Sequence, residues 1–411
     1  MISSSSLSRG LSTGLILSTI IGCSSSSNKN PSSCTDTGAV VDGASAEAGS
    51  LKPFESPTDP GAKGIWFTAS GEVLALGGYP FPPPTADSIA FVDGWDVHFS
   101  ELLVTVDNIR LAQNPDLNPG DESQTGAEVA KVTGPWAIDL HKGGPLAGKG
   151  GSDEQAVPIA ALTGQNGNGC APFDLTQKYA FSFDVVAATD SAMNVNLDPQ
   201  GLADYAEMVS KGYTVLYVGT ATFLGNSAST TCTPADPEFA KAPLTENSVV
   251  NFRLGFKSPT SYVNCQNPSL SGTPLGTDEN PRGIYAYNNQ SSIAQLTIHT
   301  DHPFWDSTVH DSPMHFDQIA ARYTGTTGTP TAIVEDMTSV DYTHFTDAQG
   351  NALPWRACVD ATRFSPPDNG TMHFADAAGA VLHNYAEYMT YDQRTQGHLN
   401  SDGLCFVKPN D

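Results

Sequence analysis

Basic residues are scarce in this chain. Its 19 lysines and arginines face 44 aspartates and glutamates, for a formal net charge of −25 at pH 7. Phosphate backbones are held by clustered Lys and Arg, so nucleic acid is excluded as a partner. The acidic surface favours solubility and attracts cations in a general way. After Ile21 no apolar run approaches the ~20 residues of a membrane-spanning helix. The signatures G-x-S-x-G, Walker A and H-E-x-x-H are also missing. Asp347-Ala348-Gln349-Gly350-Asn351 lacks EF-hand ligand spacing. Gly143-Gly144 and the Gly148–Gly151 run neither match a phosphate-binding loop nor open a clear helix, and read as a flexible surface loop. No C-x-x-C pair occurs, which argues against a thiolate zinc site, the alternative use of the cysteines.

What is present begins at the N-terminus. Arg9 is followed by an apolar stretch from Leu11 to Ile21, and the segment closes Ile20-Ile21-Gly22-Cys23. A charged start and a short apolar run describe an export signal rather than a transmembrane span. The closing residues resemble the lipobox of bacterial lipoproteins, an aliphatic pair and a small residue before the cysteine that takes lipid. The expectation is therefore a signal peptide over residues 1–22, cut before Cys23. The protein would then be tethered to a lipid membrane through acylated Cys23, facing the periplasm or the cell surface of the outer membrane. The bland alternative is an ordinary secretory peptide with a chance cysteine. Residues 23–60, rich in Ser, Gly and Ala up to Ser50, bury too little to fold and read as a flexible leash.

Seven cysteines are present. With Cys23 lipidated, Cys34, Cys170, Cys232, Cys265, Cys358 and Cys405 remain, an even number that reads as three disulfides in an exported protein. Pairs Cys232–Cys265 and Cys358–Cys405 are favoured because each flanks one module, and Cys34–Cys170 follows by elimination.

Frequent Gly and Pro, few charges and short β-branched or aromatic runs point to a mainly β chain, a β-sandwich with short accessory helices. Residues 61–300 form its expected core. Strands are expected as a pair about Gly71 within Ile65–Leu76, and again in Asp96–Leu111, Trp136–Leu140, Tyr179–Val186, Tyr213–Phe223, Val249–Phe256 and Ala294–His299. A helix over Gly201–Lys211 should end at Gly212. Ser312-Pro313 should cap and open a helix to about Tyr323. Val381, Leu382, Tyr385, Tyr388 and Met389 recur at helical spacing. Residues 301–411, a His-rich loop, helices and a disulfide region, are expected to pack on the core.

Val97-His98-Phe99, Val106-Asp107-Asn108-Ile109-Arg110-Leu111 and Trp136-Ala137-Ile138-Asp139-Leu140 resemble the opening of the MbnP-like family. So do Gly212-Tyr213-Thr214-Val215-Leu216-Tyr217 and Phe252-Arg253-Leu254-Gly255. The resemblance spans roughly residues 90–300 and rests mostly on strand patterns. It implies an exported β-rich protein that binds copper beside methanobactin systems, with a redox partner, a haem protein, able to oxidise a tryptophan. Where it implies a histidine before the Leu-Gly of the later strand, this chain carries Arg253. Thr297-Ile298-His299-Thr300-Asp301-His302, with Gly397-His398 near Cys405, more closely resembles uncharacterised lipoproteins of predatory and soil bacteria. That likeness implies organisation, and His398 as a companion of the histidine cluster, but no activity.

The cluster itself runs from His299 to Asp317. Four of the ten histidines, His299, His302, His310 and His315, fall within it, together with Asp301, Asp306, Asp311 and Asp317. Imidazole is the commonest ligand for zinc and copper, and carboxylates complete borderline sites. In a strand His299 and Asp301 share a face. His302 joins them only if the strand ends there, as Pro303 suggests. The bland alternative is solvated loop histidines and local hydrogen bonds. His141, beside Asp139, is a weaker candidate, since a strand histidine more often simply faces solvent. Trp305 reads either as packing or as an oxidisable tryptophan beside copper.

Three functions compete. The first is a lipoprotein holding copper or zinc at His299, Asp301, His302, Asp306, His310, His315 and His398. The second is a metal-dependent hydrolase with Asp301 or Asp306 as general base. The third is an adhesion module without metal. Convergence of His299, His302 and a third ligand on one centre discriminates among them.

Overall fold

Strand β3 (Trp95–Ala112) shows why the chain layers as it does. Its alternate residues Leu102, Val104 and Val106 enter the main core, whereas Leu103 joins a second apolar cluster. That second cluster is completed by Tyr205 and Met208 of an amphipathic helix. A strand covered on both faces reads as a continuous apolar run, as Leu102–Val106 nearly does. The computed structural model describes residues 51–85, 88–151, 153–166, 171–225, 247–305, 312–320, 331–339 and 382–410. Cys23, Cys34, Cys170, Cys232, Cys358, Asp306, His310 and the segment 1–50 lie outside the described residues.

The described residues are mainly β, in two mixed sheets with few short helices. The larger sheet runs β1 (Lys52–Pro53), β9 (Met193–Asn194), β5 (Trp136–Asp139), β3, β10 (Val215–Phe223), β11 (Val249–Phe256) and β14 (Thr331–Ile333). Branching from the far half of β3 are β4 (Glu128–Val132) and β8 (Ala180–Val185). β12 (Thr260–Val263) and β17 (Phe406–Pro409) follow from β8. The register shifts between Asp107 and Arg110, where Asn108 takes a positive φ and the strand changes partners. The smaller sheet runs β16 (Gly403–Leu404), β15 (Gly397–Leu399), β13 (Ser292–Ile298), β2 (Ile65–Ser70), β7 (Gln155–Leu162) and β6 (Leu146–Ala147). Aromatic rings bridge the layers, with Phe67 of β2 stacked 6.1 Å from Phe181 of β8.

Among the described residues four short α-helices accompany the sheets: α1 (Glu72–Gly77), α2 (Pro199–Lys211), α3 (Asp317–Ala320) and α4 (Tyr385–Gln393). Asp198 caps α2 through the N–H groups of Gln200 and Gly201, so the helix opens at Pro199, two residues before the start expected from sequence. Gly212 ends it in the left-handed conformation, the stop that the sequence does predict. Asn384 caps α4. Arg253 donates to Asp204 (2.8 Å) and Glu207 (2.6 Å) on α2 and so ties the helix to β11.

Several expectations are corrected. The segment after Gly71 is not a second strand. The Ser70 hydroxyl accepts the Glu72 N–H, and the chain turns into α1. Pro313 does not open a helix, because Met314 is held extended by bridges to Phe91 and Trp305, so α3 starts only at Asp317. β5, expected as a strand over Trp136–Leu140, ends at Asp139 and is buried on both faces. The leash expected to reach residue 60 already forms β1 at Lys52. Residues 382–410 do not merely pack on a core, since β15, β16 and β17 are strands of the two sheets. Finally, Cys265 is bonded to Cys405, so neither Cys232–Cys265 nor Cys358–Cys405 forms. The reason is register: Val263 opposes Phe406 in antiparallel β12 and β17, which brings the flanking cysteines together.

Candidate metal centre

The centre forms where β2 and β13 end side by side. They are parallel, with Thr297 opposite Ser70, so Glu72 and His299 emerge at the same end. On the other edge of β13, antiparallel β15 sets His398 opposite Thr297, and the His299 N–H donates to the Gln396 carbonyl (3.0 Å). Directly opposed and alternate residues share a face, so His299 and His398 are diagonal neighbours on one side of the sheet. Their rings lie 4.0 Å apart. β13 ends at Ile298, and a 3-10 turn, His302–Phe304, carries His302 back over the pair. Its ring meets those of His299 and His398 edge-on, each at 5.4 Å.

His299, His302 and His398 each present a ligand nitrogen, and these atoms lie within 4.8 Å of one another. All three rings are buried. Their outer contacts orient them. The Thr395 hydroxyl donates to the Asp392 carbonyl (2.7 Å), so the 2.6 Å contact to His302 is donated by Nδ1, leaving the lone pair on Nε2. Nε2 of His398 donates to the Thr395 carbonyl (3.2 Å), leaving its lone pair on Nδ1. Nε2 of His299 donates likewise to the Ser401 carbonyl (3.2 Å). Such outer-shell bonds set the tautomer of ligand histidines. Gly397, just before His398, is required: a Cβ there would lie 2.4 Å from the Tyr262 ring.

Carboxylates flank the histidines. Oε1 of Glu72 lies 3.5 Å from Nε2 of His299, and Oδ1 of Asp301 lies 4.0 Å from its Nδ1. Glu72, His299 and Asp402 form a second group whose ligand atoms also fall within 4.8 Å of one another. Burial opposes a charge on His299, but Glu72 and Asp301, with the Ser401 carbonyl and Asp402, outweigh it and raise its pKa above 6.5. Burial is the main reason that the Glu72 carboxyl is also raised. Glu72 (φ 61°), Asn400 (φ 54°) and Ser401 (φ 75°) all adopt left-handed backbone here, at roughly 1–2 kcal/mol each for the two that are not Asn. The Ser401 hydroxyl donates to Glu72 (2.7 Å), linking the strained positions.

Among the described residues, the other expected ligands do not join either group. Asp301 accepts the Trp305 indole N–H (3.1 Å), because the chain has left the strand and turned. His315 is buried beside Asp93, 3.9 Å away, where extended Met314 carries it toward the start of α3. His141 contacts the Ala75 carbonyl through Nδ1 (2.6 Å). Trp305, 3% exposed, stacks on His302 at 3.8 Å. Sequence reasoning missed Glu72 and Asp402 as site residues. Asp402 follows His398 in the same short segment and was within reach of such reasoning, whereas Glu72 comes from a remote strand end.

Three buried imidazoles suit zinc or copper, whose bonds to nitrogen are about 2.0–2.1 Å for zinc. No protein-family model, curated protein or solved structure matches the chain. Among the described residues no helix is long and apolar enough to cross a membrane.

Proposed function

We propose that this chain is an exported lipoprotein, cut before Cys23 and anchored by lipid there, that holds one copper or zinc ion at His299, His302 and His398. The observation that carries the metal reading is the convergence of three buried imidazoles from two strands and a turn. The anchoring reading rests on the Ile20-Ile21-Gly22-Cys23 pattern and the polar segment behind it. For an open nitrogen-rich site the usual order of divalent metals favours copper over zinc. Neutral imidazole is the ligating form, so acidification releases the ion.

The test is elemental analysis of protein purified from membrane fractions, followed by calorimetric titration with Cu²⁺ and Zn²⁺. One ion per chain is expected, lost in His299→Ala/His302→Ala. No saturable binding, or parent-like binding by that variant, overturns the metal reading. Cys23→Ser should leave the protein unprocessed or mislocalised, and normal membrane fractionation of that variant overturns the anchor.

A further inference from the structure

We propose that Glu72, His299 and Asp402 form an outer cation position from which the ion passes into the three-histidine position, with His299 shared by both. The inference rests on the metal reading above and adds the route of loading. Two ligand groups meet at one residue, each with its donor atoms within 4.8 Å of one another. They differ in exposure: Asp402 is exposed and Glu72 half-buried, whereas the three histidines are buried. They differ in chemistry as well. Carboxylate oxygens take divalent ions of many kinds, whereas imidazoles select zinc and copper. A hydrated cation drawn to an acidic surface meets oxygen ligands first and nitrogen ligands deeper in.

The two nitrogens of His299 let it serve both positions. Nε2 faces Glu72 at 3.5 Å, and Nδ1 faces Asp301 at 4.0 Å. With the ion in the outer position, Nε2 is the ligand and the ring hydrogen sits on Nδ1 beside Asp301. With the ion in the inner position, Nδ1 is the ligand and the hydrogen sits on Nε2, donated to the Ser401 carbonyl. The transfer exchanges two carboxylate ligands for two imidazoles, moves one ring hydrogen between nitrogens and changes no oxidation state. Further negative charge backs the outer position. Glu154, buried and held by the Gln295 amide (2.6 Å), adds its field to that of Glu72 and Asp402.

The test is stopped-flow mixing of the full chain with Cu²⁺, read by quenching of tryptophan fluorescence, for which Trp305, stacked on His302, is a reporter at the site. Asp402→Asn should load about tenfold more slowly, with its dissociation constant within a few-fold of the parent, and Glu72→Gln should do the same. Glu128→Gln, which removes an exposed carboxylate from the larger sheet, should load at the parent rate. Asp402 is exposed, so its variant remains informative even if Glu72→Gln fails to fold. In His302→Ala/His398→Ala the outer position should still bind one Cu²⁺, more weakly, with an oxygen-rich spectrum in electron paramagnetic resonance. Parent-like loading by Asp402→Asn overturns the proposal, as does equal slowing by Glu128→Gln or complete loss of binding in the double histidine variant. If the parent itself binds no ion, both the metal reading and this route fall. If the parent binds and Asp402→Asn is not slowed, only the route falls.

Discussion

Replacement of His398 by Ala separates a metal centre from a merely packed histidine cluster. The ring is buried, lies 4.0 Å from His299, and comes from β15, between β16 and β13 and remote in sequence from its companions. An ion present at a thousand times its dissociation constant stabilises the folded protein by about 4.1 kcal/mol. Unfolding a unit of roughly 380 residues, Thr35–Asp411, has an entropy of about 0.8 kcal/mol per kelvin at about 2.1 cal/mol/K per residue. The ion should therefore raise Tm by about 5 °C. Removing an outer-shell partner of a ligand costs about 10–100-fold in affinity, so losing a ligand should cost on the order of a thousandfold. At the same ion concentration the rise should then shrink below about 1 °C. The metal-free variant should itself melt about 3–5 °C lower, because a buried ring is lost at about 2–4 kcal/mol. Differential scanning calorimetry with and without Zn²⁺ reads both numbers. An undiminished rise in the variant refutes the assignment of His398. A lowered metal-free Tm in the variant, with no rise in the parent, shows that the histidines only pack. His398→Gln, which keeps a polar side chain, serves if the alanine variant does not fold.

Two further outcomes follow from the fold. Cys265→Ser/Cys405→Ser opens a loop of 140 residues. Chain entropy sets its contribution at about 5 kcal/mol and engineered cases often deliver less, so a loss of about 2–5 kcal/mol is expected in denaturant unfolding. An unchanged midpoint contradicts the pairing. A pH effect is expected from Glu101: burial and a proton shared with Asp204 push its carboxyl up to about 8. The folded state then binds a proton that the unfolded chain has already released, so stability is present below about pH 4.5 and declines as pH rises toward 8. Glu101→Gln should flatten that part of the stability profile, and a profile with the parent's slope counts against the shared proton.

The local signals were legible wherever one segment contains its own cause. The α2 stop, Gly212, could be read directly, whereas its cap, Asp198 before Pro199, was just as local but not read. The β character of Trp95–Ala112 could be read too, and Pro303 as a residue that cannot continue a ladder beyond β13. His299 and His302, three residues apart, were visible in the same way. What stayed hidden depends on which strands become neighbours. Glu72 reaches His299 only because β2 and β13 pair in parallel, and Cys405 reaches Cys265 only because β17 adds to β12. The turn chemistry of Ser312-Pro313 lost to bridges between Met314 and two distant residues. Asp301, next to His302 in sequence, and His315, in the same histidine-rich run, were turned to Trp305 and Asp93 instead. Side-chain periodicity, caps and breakers are properties of a few consecutive residues, so the sequence by itself determined the elements and most of the histidine set. Ligand convergence and disulfide partners depend on contacts between remote strands, each chosen by burial of the whole apolar surface, and only the tertiary structure decided those.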